Sequence, residues 1–320
     1  MPAFNIWSKY LSAERSSGMK VLIASSSLVA EPSLRALLSS SHSVIGGVTT
    51  PDTQRGRGRE ISANEFAQLM SREKLPVYKP QSTPELIELL ERVTPDIVIS
   101  ISYGKLIKSE ALKLPSFGWI NVHFSLLPRW RGASPVQRAI AAGDVKTGIT
   151  IFQLEEGLDT GPIYVQREHV MTGDESTAEL LEVLSHEASA PLLQTLEMIE
   201  SGVQPQPQSA HGITLAPKLS KEEGRIDWNT TAEEIERKVR SFSPWPSAWS
   251  MFSGQRIAIT SAKISSFTLR PGEMQIAENL HVGCGKGSLE IVELKPEGKR
   301  NMLSSEWLRG LRRENETRFE

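Results

Sequence analysis

Short apolar runs that alternate with helical stretches most strongly limit the fold of residues 20–200. The apolar runs are 21–24, 44–50, 97–101, 119–123, 148–155 and 163–170. Helical patterns lie between and after them at 32–38, 62–74, 85–93, 135–142 and, as one long helix, 178–199. Strands that alternate with helices typically form a mostly parallel sheet covered on both faces. The sequence therefore predicts an α/β domain over residues 19–203.

A second, different domain is predicted after this one, since 320 residues are typical of two domains. The polar, proline-spaced stretch 204–209 cannot continue a helix, and we interpret 204–220 as a linker. One helix is predicted at 231–241. Short apolar runs at 256–260, 262–267, 281–282 and 288–294 are separated by glycine. This spacing predicts a small β-barrel domain over 221–320.

Composition excludes several classes of protein. The chain has 36 Lys+Arg, 38 Asp+Glu and a formal net charge of -2, so any nucleic-acid partner requires a local basic patch. The one cysteine, Cys284, excludes an internal disulfide and a multi-cysteine zinc site and favours a reducing compartment. No apolar run approaches the roughly 18–20 residues that cross a bilayer, so we expect no membrane association. Residues 1–18 lack a secretory apolar core. They are expected to be an N-terminal extension before an alternative start at Met19, and the alternative is a weak organelle-targeting segment.

The first strand-to-helix turn gives a negative result. It contains Ser25, Ser26 and Ser27 and no glycine, so the G-x-G-x-x-G pattern of dinucleotide sites is absent. A phosphate-binding P-loop, a G-x-S-x-G nucleophile turn and a metal-binding H-E-x-x-H are absent as well. The α/β pattern is therefore no evidence for NAD.

The Asn121-x-His123 pair lies near the end of a predicted strand. Residues two apart in a strand face the same side, and the carboxyl ends of strands in open α/β sheets border the ligand crevice. An amide beside an imidazole can stabilise an oxyanion and move a proton. The alternative is that Asn121 forms hydrogen bonds with the backbone and that His123 is a core histidine whose hydrogen bonds are all made within the protein.

Asp159 lies in a polar turn, Leu158 to Pro162, between two apolar strands. Its carboxylate could orient the imidazole and raise its basicity. The alternative is a turn aspartate that bonds its own backbone, the commoner role for aspartate near glycine. Sequence spacing alone does not bring Asp159 to His123.

Four elements, in this order, closely resemble the 10-formyltetrahydrofolate-dependent formyltransferases. They are Asn121-x-His123, the loop Ser125-Leu126-Leu127-Pro128, Arg131-Gly132 with Ser134-Pro135, and Leu158-Asp159-Thr160-Gly161. The resemblance implies a Rossmann-like formyltransferase domain followed by an OB-like barrel, catalytic residues Asn121, His123 and Asp159, and no metal. It also implies that 10-formyltetrahydrofolate is the cosubstrate. Its expected contacts are Ser125, Leu126, Leu127, Pro128, Tyr103 and Gly104.

Two basic segments resemble the members of this family that act on initiator methionyl-tRNA. One is the loop at 51–59, where Gly and Arg alternate, and the other is the segment 295–313. Flexible cationic segments suit contact with phosphates, although such a loop can also be only a solvated surface. The predicted tRNA-binding residues are Arg55, Arg57, Arg59, Lys299, Arg300, Arg309 and Arg312.

The resemblance implies formyl transfer to the methionine amino group of initiator methionyl-tRNA. Two alternatives stay open: a formyltransferase for a nucleotide amino sugar, and a catalytically silent RNA-binding protein. The sugar formyltransferase needs Asn121, His123 and Asp159 but not the basic C-terminal segment. The RNA-binding protein needs the basic loops but not those three residues. We further expect a monomer located in a bacterial-type cytoplasm rather than in an organellar matrix.

Overall fold

The structure of the protein is a computed structural model that describes residues 18–55, 60–311 and 318–320. By compactness these residues divide into two units. One contains 18–122, 153–156 and 192–204, and the other contains 123–152, 157–191 and 205–320, apart from the positions not described. The predicted domain boundaries at 203 and 220 stay predictions.

Strands and helices alternate over residues 20–200, as the apolar runs predict. The strands are β1 (Lys20–Ser25), β2 (Ser43–Val48), β3 (Thr53–Arg55), β4 (Glu60–Ser62), β5 (Val77–Tyr78), β6 (Ile97–Ile101), β7 (Trp119–His123), β8 (Lys146–Gln153) and β9 (Ile163–Val170). The helices are α1 (Glu31–Leu38), α2 (Glu65–Arg72), α3 (Thr83–Val93), α4 (Ser109–Leu112), α5 (Pro135–Ala142), α6 (Thr177–Glu187) and α7 (Ser189–Glu200).

Five of these strands form a parallel sheet in the order β5-β2-β1-β6-β7. Ile23 of β1 is paired with Gly47 of β2 on one side and with Ile99 of β6 on the other. Every residue of β6 is buried, as expected of a strand in a parallel sheet covered on both faces. Strands β8 and β9 pair with each other in antiparallel fashion. The predicted mostly parallel α/β fold is confirmed.

The helices of this region begin where the sequence supplies capping side chains. The Asn64 side chain accepts the Ala67 N–H at 2.9 Å and starts α2. The Ser82 hydroxyl accepts the Glu85 N–H at 3.4 Å and starts α3. Each cap of this kind stabilises a helix by about 1 kcal/mol. The capped helices bury apolar side chains on one face, which fixes the sheet beneath them and the positions of its strand ends.

The long helix expected at 178–199 is in fact two helices. Helix α6 ends at Glu187, and α7 begins at Ser189. Pro191 lies in the first turn of α7, where a residue without an N–H is tolerated, whereas one continuous helix would leave the Glu187 carbonyl unpaired. The opposite difference occurs at 256–267. The two short strands predicted there are one strand, whose pairing register shifts around Ser261.

In the described residues of the C-terminal region, an antiparallel sheet is accompanied by two α-helices. Its elements are α8 (Ala232–Ser241), β10 (Ala248–Phe252), β11 (Gln255–Ser265), β12 (Met274–Ile276), β13 (Leu280–Gly283), β14 (Ser288–Pro296), β15 (Met302–Leu303) and α9 (Ser304–Gly310). The strand order is β10-β11-β14-β13-β12, with β15 paired to β14. Ile235 of α8 shares one buried cluster with Ile257, Leu289 and Phe319. This arrangement agrees with the predicted small barrel.

None of the helices in the described part of the chain combines the length and the apolarity that a bilayer crossing requires.

Candidate active site

Strand β7 carries two predicted catalytic residues at its carboxyl end. Asn121 is half-buried and is paired with Ser100 in the register of β6 and β7. His123 is the last residue of β7 and is 5% exposed. Because residues two apart in a strand project to the same side, the amide and the imidazole lie on one face of β7.

Both ring nitrogens of His123 have polar neighbours. Nε2 lies 2.9 Å from the backbone oxygen of Trp130, and Nδ1 lies 3.7 Å from Oδ2 of Asp159. Since a carbonyl oxygen only accepts, Nε2 carries the proton of the neutral ring, and Nδ1 keeps its lone pair. The structure thus brings His123 and Asp159 together.

The electrostatics of His123 favour the neutral ring. Burial lowers the pKa of His123 below its ordinary value of 6.5, while the Asp159 carboxylate and the Trp130 carbonyl act in the opposite direction. A ring with a lowered pKa is mainly neutral at pH 7. A core histidine with all its hydrogen bonds satisfied would account for the bond of Nε2 to Trp130. It does not account for Nδ1, because the 3.7 Å from Nδ1 to Oδ2 of Asp159 exceeds hydrogen-bond distance. A lone pair beside a carboxylate can take up a proton, and the carboxylate then stabilises the cation.

Asp159 is anchored from outside its own turn. It lies between β8 and β9 with a φ of 51°, a left-handed conformation that costs a non-glycine residue about 1 kcal/mol. Its Oδ2 accepts the Gly132 N–H at 2.7 Å, and its side chain is 13% exposed. The alternative of an aspartate that bonds its own turn is not what the structure shows, since the carboxylate bonds the loop that follows β7.

The loop at 125–128, where folate contacts are predicted, shows two kinds of residue. The Ser125 hydroxyl donates to the backbone oxygen of Arg129 at 2.6 Å, and both Ser125 and Leu127 are buried. Leu126 and Pro128 are half-buried. Leu126 and Pro128 are therefore the two of these four residues whose side chains offer appreciable surface to a ligand.

Two side chains of the antiparallel pair hold this loop. The Thr150 hydroxyl of β8 donates to the backbone oxygen of Ser125 at 2.6 Å and accepts the Leu127 N–H at 3.1 Å. Gln166 of β9 donates to the backbone oxygen of Leu127 at 2.7 Å. These bonds satisfy backbone groups that a buried loop would otherwise leave unpaired.

The remaining predicted folate contacts follow β6. Tyr103 is 3% exposed and belongs to a buried apolar cluster with Leu22 and Trp119. Its hydroxyl has no hydrogen-bond partner among the residues described, and burial raises the pKa of Tyr103 to about 12. Gly104 is exposed, has a φ of 77° and has open space where a Cβ would lie. Gly104 thus presents accessible surface, whereas Tyr103 lies within the core.

The predicted tRNA-binding residues divide by what the structure describes. Lys299, Arg300 and Arg309 are exposed, and Arg300 forms an ion pair with Glu306 at 3.0 Å. Arg55 ends β3 in the hairpin of β3 and β4, and its side chain is outside the described part of the structure. The predictions at Arg57, Arg59 and Arg312 lie outside the described residues.

Sequence reasoning missed the contribution of the connector, which we define as residues 205–217. The Gln208 side chain bonds both Arg131 and the Asp159 turn, and the Thr214 hydroxyl accepts the Trp130 N–H at 2.8 Å. Composition correctly indicates that this stretch is not helical, and it contains no helix or strand in the structure. Composition carries no signal for the partners of individual polar side chains.

No group of three or more His, Cys, Asp or Glu side chains within the described ranges could hold a metal ion. Cys284 lies in the C-terminal buried cluster, where burial raises the pKa of its thiol to about 12. A thiol with such a pKa is protonated at neutral pH and unreactive.

Comparison with known proteins gives two family matches. The family model described as formyl transferase matches residues 19–196, and the model described as formyl transferase, C-terminal domain, matches residues 218–312.

Relatives from bacteria match most of the chain. A protein named methionyl-tRNA formyltransferase from Magnetococcus marinus is 39% identical over 282 residues, which cover 87% of this chain and 90% of the relative. Another of the same name from Streptomyces coelicolor is 38% identical over 301 residues, which cover 92% and 97%. Among solved structures, HypX from Aquifex aeolicus in complex with tetrahydrofolic acid superposes with a TM-score of 0.68 at 20% identity, over 91% of this chain and 47% of HypX. This last likeness shows a shared fold.

Proposed function

This chain belongs to the formyl transferase family, and we propose that it transfers a formyl group from 10-formyltetrahydrofolate to the methionine amino group of initiator methionyl-tRNA. The observation that carries the proposal is the identity of 39% and 38% with methionyl-tRNA formyltransferases. Since the alignments cover 90% and 97% of those relatives, the likeness extends well beyond the residues around His123.

The reaction defines what the protein must supply. A bond forms between the methionine nitrogen and the formyl carbon, the bond from that carbon to N10 of the folate breaks, and one proton passes from the amine to N10. The nucleophile belongs to the substrate, so the protein requires no covalent nucleophile, which agrees with the buried Cys284. The protein must instead stabilise a developing oxyanion and move a proton.

His123 is our candidate for proton transfer. Its neutral ring has a lone pair on Nδ1, because Nε2 donates to the Trp130 carbonyl. Uptake of the amine proton at Nδ1 creates a cation 3.7 Å from Asp159, whose carboxylate stabilises it. His123 can then return the proton to N10. Asp159 is a positioning residue in this scheme, since it acts through the ring.

Asn121 is our candidate for the oxyanion donor. It lies two residues before His123 on β7, so both side chains address one face of the strand. A carboxamide N–H is a suitable donor to oxygen that gains negative charge during attack on the formyl carbon.

The loop at 125–128 is our candidate contact for the folate. Its backbone is fixed by Thr150 and Gln166, and Leu126 and Pro128 present partly accessible apolar surface. A fixed backbone edge beside apolar side chains suits a flat heteroaromatic ring. The contacts at Tyr103 and Gly104 stay predictions.

The exposed cations Lys299, Arg300 and Arg309 are our candidate contacts for the tRNA backbone. Phosphate contacts of this kind make binding depend on salt concentration. Arg300 is partly neutralised by Glu306, so Lys299 and Arg309 are expected to contribute more. A cytoplasmic location and a monomeric state stay predictions.

The proposal is tested by incubating the protein with labelled 10-formyltetrahydrofolate and either initiator methionyl-tRNA or a nucleotide amino sugar. We expect label on the methionyl-tRNA and none on the sugar. Label on the sugar alone would show that the acceptor is a nucleotide amino sugar and not methionyl-tRNA. Binding of tRNA without transfer to either acceptor would instead support the silent RNA-binding protein.

A further inference from the structure

The Gln208 side chain uses its full hydrogen-bonding capacity within the protein. Its Nε2 donates to the backbone oxygens of Asp159 and Gly161, both at 2.8 Å. Its Oε1 accepts from Nη2 of Arg131 at 2.7 Å and from Nε of Arg131 at 3.1 Å. A carboxamide has two donors and two lone pairs, so all four are used.

The chemistry of the partners fixes the orientation of this amide. A guanidinium only donates and a backbone carbonyl only accepts, so Oε1 must face Arg131 and Nε2 must face Asp159 and Gly161. Gln208 therefore ties two segments together. One is the loop that follows β7, and the other is the turn between β8 and β9.

The turn that Gln208 holds is one that needs support. Asp159 has a left-handed φ of 51°, which persists only where its surroundings impose it. Gln208 fixes the backbone of that turn, and the Gly132 N–H fixes its carboxylate. Both supports come through the Arg131–Gly132 segment, which pairs with the connector backbone.

The connector backbone adds to this support. The Arg131 N–H donates to the backbone oxygen of Thr214 at 2.9 Å, and the Ala216 N–H donates to the backbone oxygen of Arg131 at 2.7 Å. The Thr214 hydroxyl accepts the N–H of Trp130, whose carbonyl in turn accepts the His123 proton. The connector therefore supports the partners of both His123 and Asp159.

We propose that Gln208 is a positioning residue for formyl transfer, and that its amide keeps the Asp159 carboxylate beside His123 by joining the Asp159 turn to Arg131. The inference rests on the proposed function for its kinetic consequences only. Gln208 is then a part of the active site, although its neighbours in the connector need not be.

Other charged groups of this loop are already engaged. Arg129 is paired with Asp144 at 2.6 Å, and the Trp130 indole donates to the same carboxylate. The Arg131 guanidinium faces the neutral Gln208. Among the residues described, no charged group other than Asp159 lies within ion-pair distance of His123. Displacement of the Asp159 turn is therefore expected to lower the pKa of His123.

Two variants of Gln208 distinguish its hydrogen bonds to Arg131 from those to Asp159 and Gly161. Gln208→Leu removes all four hydrogen bonds at similar size, whereas Gln208→Glu still accepts from Arg131 but cannot donate to Asp159 and Gly161 when ionised. Each is expected to lower kcat by about tenfold to a hundredfold, with little change in KM for methionyl-tRNA. Ser209→Ala, at an exposed neighbouring position, is the matched control and should keep wild-type kcat. If Gln208→Leu does not fold, Gln208→Glu carries the test.

A double-mutant cycle with Asp159→Asn distinguishes positioning from general destabilisation. If Gln208 acts through Asp159, each Gln208 variant should change kcat by less than about twofold in the Asp159→Asn background. Equal losses in both backgrounds, or an unchanged kcat in the wild-type background, would overturn the inference.

A measurement without substrate keeps this inference separate from the proposed function. NMR titration of carbon-13-labelled histidine reports the pKa of His123 whether or not the protein formylates tRNA. We expect that pKa to fall in Gln208→Leu, which adds no charge, and to stay unchanged in Ser209→Ala. An unchanged pKa in folded Gln208→Leu overturns the role of Gln208, whereas absent transfer by the wild type overturns the proposed function alone.

Discussion

Oδ2 of Asp159 lies 3.7 Å from Nδ1 of His123 while it accepts the N–H of Gly132 at 2.7 Å. One hydrogen bond therefore anchors the carboxylate, and its charge still acts on the ring. Burial lowers the pKa of His123, and the carboxylate opposes that effect. The balance leaves a neutral base whose protonated form has a partner in place.

Asp159→Asn keeps an oxygen for Gly132 and removes the negative charge. The pKa of His123 then falls further, because the carboxylate is one of the two groups that raise it. We expect the limb of the pH profile of kcat that reports His123 to move to lower pH, and kcat to fall about a hundredfold. Single-turnover rates measured across pH give both the position of this limb and the size of the rate loss. A limb that stays in place or moves to higher pH would contradict the pairing.

Asn121→Ala removes the proposed oxyanion donor from β7. Loss of one such donor lowers turnover by about a hundredfold to a thousandfold in other enzymes. We expect a loss of about two decades in kcat with an unchanged thermal unfolding midpoint. Turnover near that of the wild type would remove Asn121 from the mechanism.

Gly132→Ala is expected to disturb the site through the backbone. Gly132 has a φ of 128°, and a Cβ there would lie 2.5 Å from the backbone oxygen of Ala216. The clash pushes the loop away from the connector, so kcat should fall at least about tenfold. Steady-state kinetics and thermal unfolding of the variant measure the effect.

Gly212→Ala is the matched control for that substitution. Gly212, which lies in the connector, also has a positive φ, of 79°, but a Cβ there meets nothing within 4 Å. Only the left-handed backbone is penalised, so the free energy of unfolding should fall by about 1 kcal/mol with kcat unchanged. Equal kinetic losses in both variants would show that the close approach of Gly132 to Ala216 has no special part in the site.

Much of the fold follows from periodicity and strand order. Alternating apolar and helical segments predict the parallel strands, and the strand ends place Asn121 and His123 correctly because i and i+2 share a face. Periodicity fails at Ala188, between α6 and α7, because apolar spacing continues across a proline that fits the first turn of a new helix.

The assembled site required three-dimensional information. The turn signal at Asp159 predicts a polar turn but not that its carboxylate crosses to Gly132. Gln208 lies in a segment whose proline spacing indicates an irregular chain, and irregular chain carries no periodic signal for its partners. Such contacts depend on where the backbone passes, which local propensity does not determine.

Removal of exposed cations in the C-terminal region tests the tRNA surface. Lys299→Gln and Arg309→Gln should each weaken tRNA binding. Each should also reduce the slope of the logarithm of the binding constant against the logarithm of salt concentration, by about one for each phosphate that the variant no longer neutralises. Lys263→Gln is a suitable control, because Lys263 is exposed on β11 and is paired across the strands with Glu290. Binding isotherms at several salt concentrations measure the slope. A slope as steep as that of the wild type in both variants would contradict the assignment.

The most direct test of formyl transfer through His123 is single-turnover transfer from labelled 10-formyltetrahydrofolate to initiator methionyl-tRNA, by the wild type and by His123→Gln. We expect one formyl group for each methionyl-tRNA with the wild type. The His123→Gln rate should be lower by about a hundredfold to ten-thousandfold, with both substrates still bound. A His123→Gln rate equal to that of the wild type would contradict the mechanism, and no transfer to methionyl-tRNA by the wild type would contradict the function.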